Sequence, residues 1–218
     1  VAFVGGMNIG NEYAGEKYGG ENWRDTHLKI EGPAVRDLEY FFLENWHRQG
    51  GALVDIAKYF PVINRKGDTI VLVLSSYSRK NVKPIYQTYL AAIANAQKYI
   101  YIANAYFVPD SKISKALIRA AKRGIDVRIL LPSVSDIPFV QYASRYLYKR
   151  FLKNHIRIYE YIPTVLHAKT AVIDDIWSTV GSTNLDRRSF NANLEVNAII
   201  LDQNFGNKMK KQFLKDIQ

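Results

Sequence analysis

Cysteine is absent from this chain of 218 residues, and histidine occurs only four times. Disulfide bonds, thiolate zinc sites and cysteine nucleophiles are therefore excluded, and the histidines remain as imidazole and metal-ligand candidates. Apolar runs are short, and stretches such as 70–74 fall far below the roughly 20 residues of a membrane-spanning helix. The start at Val1 has none of the regions of a signal peptide, and we interpret the chain as a piece of a longer protein.

Positive charge is in excess, with 30 Lys+Arg against 20 Asp+Glu and a net charge of +10. Such a balance favours anionic partners, and nucleic acid, phosphorylated metabolites and an anionic membrane surface satisfy it equally well. With 48% hydrophobic residues, the chain is long enough for one globular unit, or for one unit and part of another.

The order of the predicted strands and helices indicates an α/β fold. A polar segment at 64–68 divides the chain. Ahead of it we predict a strand at 1–6, an irregular surface loop at 11–22, a strand at 24–30 and a helix at 33–46. Beyond it the predicted strands are 70–74, 99–103, 127–131, 156–161, 168–173 and 194–201, and the predicted helices are 84–97, 111–123, 138–153 and 205–217. Strands that alternate with helices predict a layered α/β domain.

An internal repeat relates the beginning of the chain to its last third. Val4–Asn8 reads Val-Gly-Gly-Met-Asn, and Val180–Asn184 reads Val-Gly-Ser-Thr-Asn. Each copy is followed by a loop, a strand that carries a carboxylate and a helix, and the alignment pairs Asp25 with Glu195. The chain is therefore expected to hold the tail of one repeat and nearly all of a second.

The second copy contains a concentration of residues suited to phosphate chemistry. On an extended strand His167 and Lys169 project from the same face, so an imidazole and an ammonium can converge on one anion. The imidazole can attack phosphorus or protonate a leaving oxygen, while Lys169 and the amide of Asn184 hold the other oxygens. Glu195 is expected to fix the tautomer and orientation of His167. This scheme needs no metal ion or other cofactor.

A bare His-x-Lys is usually a strand histidine beside a solvated lysine, so the longer pattern decides the interpretation. His167-x-Lys169-x4-Asp174 followed by Gly-Ser-x-Asn resembles the HKD motif of the phospholipase D superfamily, and the surrounding sequence is similar to bacterial cardiolipin synthases. The stretches that carry this resemblance are Val4–Asn8, Trp23–Asp25, Glu31–Val35, Ala105–Pro109, Ala121–Val127 and Val180–Ser189.

The resemblance implies a layered α/β/α sandwich of the phospholipase D type. Residues 1–64 would be the C-terminal part of a first lobe, and 65–218 a second lobe that carries the HKD motif. The implied reaction moves a phosphatidyl group from one phosphatidylglycerol to another through a phosphohistidine and releases glycerol. Phospholipase D or nuclease-type hydrolysis of a phosphodiester is the alternative, although no stacking or single-strand-binding motif favours nucleic acid.

The resemblance also implies a role for each site residue. His167, Lys169, Asn184 and Glu195 would be catalytic; Lys169, Ser182, Asn184 and Asn8 would bind phosphate; and Asp174, Asp25, Gly181 and Gly6 would support the site. The partner histidine of the first motif would lie fourteen residues before Gly5, ahead of Val1. Which of the two histidines is the nucleophile stays open. As supplied, the chain would be inactive unless a homodimer brings two His167 side chains together.

Two other features allow more than one interpretation. His27-Leu28-Lys29 is also His-x-Lys, but Ala34 stands where the motif needs aspartate, so we interpret His27 as a structural strand histidine. The helix at 138–153 mixes basic and aromatic residues. It fits either contact with an anionic bilayer or a solvated face with the aromatics packed inward. The implied partner is an anionic phospholipid at the bacterial cell membrane, reached peripherally or through membrane helices outside this chain.

Overall fold

The computed structural model describes residues 1–76 and 83–218 and is built around a mixed β-sheet. The strands are β1 (Ala2–Gly5), β2 (His27–Ile30), β3 (Ile70–Ser75), β4 (Tyr99–Asn104), β5 (Phe107–Val108), β6 (Asp126–Pro132), β7 (Arg157–Tyr161), β8 (Lys169–Ile173), β9 (Trp177–Gly181), β10 (Leu185–Asp186) and β11 (Val196–Leu201). The helices are α1 (Val35–Arg48), α2 (Ile56–Tyr59), α3 (Pro84–Asn95), α4 (Ser111–Lys122), α5 (Pro138–Leu152), α6 (Arg187–Asn191) and α7 (Gln203–Asp216).

The large sheet has seven strands in the order β3-β11-β9-β8-β4-β6-β7. β4, β6 and β7 are parallel, and α4 and α5 supply the crossovers that parallel neighbours require. The strands from β3 to β4 pair antiparallel with one another. Two small pairs lie outside this sheet: β1 with β2, antiparallel, and β5 with β10, parallel.

Both faces of the sheet are covered by other elements. This explains why successive residues of its central strands are apolar, without the alternation of a strand that has one face in solvent. In β4, Ile100 and Ile102 pack with α3, α4 and α5, while Tyr99 and Tyr101 pack on the opposite face with Phe213 of α7. The predicted α/β class is confirmed, and the layers are helices, sheet and helix.

The β1–β2 hairpin and α1 cover the rest of the second face. Val4 and Ile30 of the hairpin pack against Ala198 and Ile200 of β11, and Leu38 of α1 packs at the edge of the same cluster. The first 30 residues are therefore joined to the sheet by an apolar core, and this contact carries the end of β1 towards β8.

The predicted strands and helices are found within a few residues of their expected ends, but β9 was missed. Its sequence Trp-Ser-Thr-Val-Gly has no apolar run, yet Ser178 and Thr179 are fully buried between β8 and β11. The small pair β5–β10 and the short α2 and α6 were also missed, because two to five residues carry no periodicity. Among the described residues no helix is long and apolar enough to cross a membrane.

Candidate active site

Lys169 is the first residue of β8 and His167 lies two residues ahead of it, and their side chains are in contact. The Lys169 Nζ is 3.0 Å from His167 Nε2 and 2.5 Å from the His167 carbonyl oxygen. The intervening Ala168 is buried on the opposite face. Because an ammonium can only donate, this hydrogen bond assigns the lone pair of the imidazole to Nε2 and the ring proton to Nδ1.

Lys169 is nearly inaccessible to solvent, and this burial determines its acidity. Desolvation lowers the pKa of its ammonium group to about 8, against the opposing effect of the nearby carboxylates of Asp25, Glu195 and Asp136. A lysine held in this way keeps its charge at neutral pH without full solvation. Such a group can gain stabilisation when an anion binds next to it.

Asp25 provides the hydrogen-bond acceptor for the other nitrogen of His167. Its Oδ2 lies 2.9 Å from His167 Nδ1, and its side chain is fully buried. Two backbone hydrogen bonds place the carboxylate there: His167 N donates to Arg24 O at 2.8 Å, and Arg24 N donates to Val165 O at 2.9 Å. The predicted support residue Gly6 explains the close fit, since a Cβ there would lie 2.8 Å from Asp25 Oδ2.

The carboxylate that faces His167 is that of Asp25, whereas the side-chain hydrogen bonds described for Glu195 lead to other residues. Its Oε2 accepts a hydrogen bond of 2.5 Å from Ser182 Oγ, and its Oε1 accepts one of 3.2 Å from Asn193. The carboxylate on His167 comes from the aligned position in the other repeat. The spacing within one repeat could not reveal this exchange, because it depends on how the two repeats face each other.

The other predicted phosphate ligands differ in burial and in hydrogen-bond partners. Asn184 is buried, and its Oδ1 accepts a hydrogen bond of 3.2 Å from Tyr106 N, which leaves its Nδ2 to donate. The Ser182 hydroxyl makes two hydrogen bonds, because it donates to Glu195 and accepts from Val196 N at 3.1 Å. Asn8 is exposed, and its Nδ2 donates to the Tyr13 hydroxyl at 3.4 Å.

Gly181 and Asp174 have structural roles in the geometry. A Cβ on Gly181 would lie 2.2 Å from the Oδ1 of Asn197, a buried side chain that accepts hydrogen bonds from both N and Oγ1 of Thr183. Asp174 follows β8 and accepts from the backbone N–H groups of three successive residues, 97 to 99, at 2.6 to 2.9 Å. It therefore ties the end of β8 to the start of β4.

Three aromatic residues lie around His167, and none of them is among the predicted catalytic, phosphate-binding or supporting residues; for Tyr106 the resemblance implied a loop at the rim of the site, with packing at a strand end as the alternative. The Tyr13 hydroxyl lies 2.9 Å from Nδ1, and the ring centroids of Trp23 and Tyr106 lie 5.8 and 6.3 Å from that of the imidazole. Tyr106 also lies under the ammonium of Lys169, 6.0 Å from its ring centroid. Tyr13 had no periodic signal, because it lies in the irregular segment 11–22.

The remaining three histidines lie elsewhere in the fold. His27 is part of β2, and its ring stacks on Phe3 with a centroid distance of 6.4 Å. His47 is in the last turn of α1, and His155 follows α5 in the left-handed region with φ of 61°. Within residues 1–76 and 83–218, no cluster of three or more His, Asp or Glu side chains could hold a metal ion.

The family model described as "Cardiolipin synthase, PLD-like domain" matches residues 89–217. The chain belongs to this family. Cardiolipin synthase of Geobacillus thermodenitrificans is 40% identical in an alignment of 220 residues that covers 100% of this chain and 44% of that protein. Cardiolipin synthase of Staphylococcus aureus is 38% identical over 219 residues, again 44% of its length. This member of the cardiolipin synthase family thus spans less than half of these relatives.

Solved structures of phospholipase D proteins share the fold. Nuc, a phospholipase D family member from Salmonella typhimurium, superimposes on 68% of the chain with a TM-score of 0.55 and 22% identity, and 94% of Nuc is covered. Phosphatidylserine synthase from Haemophilus influenzae gives a TM-score of 0.57 with 14% identity over 68% of the chain and 39% of that protein. At these identities the likeness extends to the α/β/α sandwich and not to a shared substrate.

Proposed function

We propose that this chain is the catalytic part of a cardiolipin synthase-type phosphatidyltransferase that carries its second HKD motif. The observation that supports this most is the state of His167, whose Nδ1 faces the buried Asp25 and whose Nε2 faces Lys169. A neutral imidazole held in this tautomer has its free lone pair on Nε2, where it accepts from Lys169. A phosphate that takes up the Lys169 ammonium in place of this contact would free the lone pair to face phosphorus. This is what a nucleophile or proton acceptor at phosphorus requires.

In the proposed reaction two imidazoles share the work. One attacks the phosphorus of phosphatidylglycerol while the other protonates the glycerol oxygen, so that the P–O bond breaks and glycerol leaves. A hydroxyl of a second phosphatidylglycerol then attacks the phosphorus and gives its proton to the other imidazole. The P–N bond of the phosphohistidine breaks, which releases cardiolipin and restores the first histidine. Asp25 would stabilise the imidazolium form of His167 in either role, and Lys169, Asn184 and Asn8 would hold phosphate oxygens.

The position of Glu195 suggests where the second imidazole belongs. If Asp25 of the first repeat serves the histidine of the second, then Glu195, held by Ser182, would serve the histidine of the first. That histidine would lie ahead of Val1, fourteen residues before Gly5. On this basis we assign 1–64 to the first lobe and 65–218 to the second, with the contact between the lobes through the hairpin of β1 and β2.

We also propose that α5 lies against an anionic bilayer. The structure separates its aromatic residues: Phe151 is fully buried, whereas Phe139, Tyr142 and Tyr146 are 81%, 69% and 84% exposed. Lys149 is exposed on the same helix. Amphipathic aromatic rings beside lysine and arginine suit the headgroup region of anionic membranes.

A groove supports the same orientation. It has a volume of about 340 Å³ and runs between the first half of α5 and the segment that includes Asn184, with exposed Arg187 and Arg188 at its side. A phospholipid whose phosphate lies at Asn184 could place its glyceride part along these apolar walls. The bacterial cell membrane is accordingly the proposed location.

The test measures cardiolipin formed from phosphatidylglycerol vesicles by mass spectrometry. One sample is this 218-residue chain, and another is a longer polypeptide in which the corresponding preceding region of a Geobacillus relative is fused to Val1. His167→Ala removes the proposed reacting group, and His27→Ala, in the second His-x-Lys, is the matched control. Product from the longer polypeptide alone, lost only in His167→Ala, supports the proposal.

The other outcomes are equally informative. Product from the short chain, again lost in His167→Ala, would mean that two copies build one site. No cardiolipin from either sample, or product that persists without His167, would refute the proposal. Release of phosphatidic acid without cardiolipin would replace transfer by hydrolysis.

A further inference from the structure

The segment 11–22 is an ordered cover over His167. It contains two short 3-10 turns, Asn11–Tyr13 and Glu16–Tyr18. Its ends are tied together by hydrogen bonds from Trp23 N to Glu12 O at 2.8 Å and from Asn22 N to Ala14 O at 2.9 Å. A Cβ on Gly20 would lie 2.1 Å from Ala14 O, so a side chain there would force the turn apart.

Tyr13 is the residue of this segment that reaches the imidazole. Its hydroxyl oxygen lies 2.9 Å from His167 Nδ1, the same nitrogen that faces Asp25 Oδ2 at 2.9 Å. Its ring meets the imidazole edge-on at 5.7 Å and also meets Trp23 edge-on at 5.6 Å. The tyrosine is therefore held on one side by an indole and on the other by the histidine itself.

The hydrogen-bond donors fix the direction of the contact. Lys169 donates to Nε2, so the neutral ring carries its proton on Nδ1. Nδ1–H is thus the donor to both neighbours, Asp25 Oδ2 and Tyr13 Oη, in a shared hydrogen bond of a common type. The Tyr13 oxygen accepts from Asn8 Nδ2 as well, which links the imidazole to a proposed phosphate ligand of the other repeat.

We propose that Tyr13 is a positioning residue for His167. By sharing Nδ1–H with Asp25 it holds the ring plane, keeps the proton on Nδ1 and shields that proton from water, so that Nε2 stays directed at the phosphate site. Its use in catalysis rests on the proposed function. The contact itself can be tested without any lipid.

The experiment is nitrogen-15 NMR of the imidazole side chains in the 218-residue chain, which has only four histidines to resolve. The His167 signals are identified by their loss in His167→Ala. Tyr13→Phe keeps the ring and removes the acceptor oxygen. The matched control is Tyr18→Phe, an exposed tyrosine of the same segment that stacks only with Lys17 among the contacts described.

We expect the Nδ1 proton of His167 to exchange with water about two to ten times faster in Tyr13→Phe than in the unaltered chain, the range expected for loss of one neutral hydrogen bond. Tyr18→Phe should leave the rate unchanged, and the signals of His27, His47 and His155 should show that both variants are folded. An unchanged His167 exchange rate and shift in Tyr13→Phe, or a ring protonated at Nε2 in the unaltered chain, would overturn the inference.

A catalytic readout separates the two proposals. In the longer polypeptide Tyr13→Phe should lower kcat several-fold with KM unchanged, because it acts on the histidine and not on lipid binding. Faster proton exchange without any cardiolipin synthesis would leave the role of Tyr13 standing and remove the proposed reaction. Normal kcat together with faster exchange would remove the catalytic purpose of the contact.

Discussion

Lys169 should destabilise the folded chain at neutral pH, and Lys169→Met should relieve this. Burial lowers the pKa of the ammonium group from 10.5 to about 8. At 1.36 kcal/mol per pKa unit, the charged form costs about 3 kcal/mol relative to an exposed lysine. Lys169→Met also loses the hydrogen bonds from Nζ to His167, which lowers the free energy of unfolding by roughly 1 kcal/mol. We therefore expect Lys169→Met to raise the free energy of unfolding by about 2 kcal/mol at pH 7.

The sign of the pH dependence follows from the depressed pKa. Below about 8 both the folded and the unfolded chain hold the proton, so the cost is fully present. Between that value and 10.5 the unfolded chain binds more protons, so the unaltered chain gains stability as the pH rises. The stability recovered over this range, about 3 kcal/mol in full, exceeds the expected gap of about 2 kcal/mol, so the gap between the unaltered chain and Lys169→Met should close at about pH 9.5 and reverse above it.

Urea unfolding at pH 7 and pH 9.5 measures both statements, with Lys122→Met on the exposed face of α4 as the matched control. Measurement stops below pH 10 because burial raises the pKa of tyrosines such as Tyr101, to about 12, and their titration in the unfolded chain opposes the lysine effect. The reasoning would be refuted if Lys169→Met were no more stable than the unaltered chain at pH 7. It would also be refuted if the difference in the free energy of unfolding between the two did not narrow at pH 9.5. A stable but inactive variant would identify Lys169 as a residue retained for function at the expense of stability.

Three further predictions concern other parts of the fold. Asp174→Ala removes the acceptor of three backbone N–H groups and should lower the free energy of unfolding by about 2–4 kcal/mol in urea titrations, with Asp68→Ala as an exposed control; a loss below 1 kcal/mol would contradict it. Gly6→Ala should displace the Asp25 carboxylate and lower cardiolipin synthesis at least tenfold; normal activity would mean that the hairpin gives way freely. Phe139→Ser together with Tyr146→Ser should weaken co-sedimentation with phosphatidylglycerol vesicles while the melting temperature stays unchanged; equal binding would exclude α5 as the contact.

The fold was largely predictable because the spacing of apolar residues and the length of each segment identify its strands and long helices. α4, for example, has an apolar stripe from Ile113 to Ala121 and ends at Lys122, and Gly124 follows with a φ of 89° that suits glycine. β9 was not predicted because it buries polar side chains that form hydrogen bonds with neighbouring strands; Asn197 of β11, for example, donates to Thr179. Such pairing leaves no pattern in the sequence of one strand alone.

The candidate site was predictable only within each repeat. The spacing of His167 and Lys169 on one strand correctly predicts that their side chains meet. It did not point to the carboxylate that faces the imidazole, because Asp25 is 142 residues away in the chain. Tyr13 had no signal for a similar reason, since its contact with His167 is created by the docking of a loop and not by a local pattern.

The contact between Asp25 and His167 makes the histidine dependent on assembly. The carboxylate and the imidazole belong to different repeats, and they meet only when the hairpin of β1 and β2 is packed on β11 through residues such as Val4 and Ile30. A partly folded or nicked chain in which the hairpin has come away would therefore leave Nδ1 of His167 without the carboxylate that faces it. The surroundings of His167 are therefore complete only while the hairpin remains packed on β11.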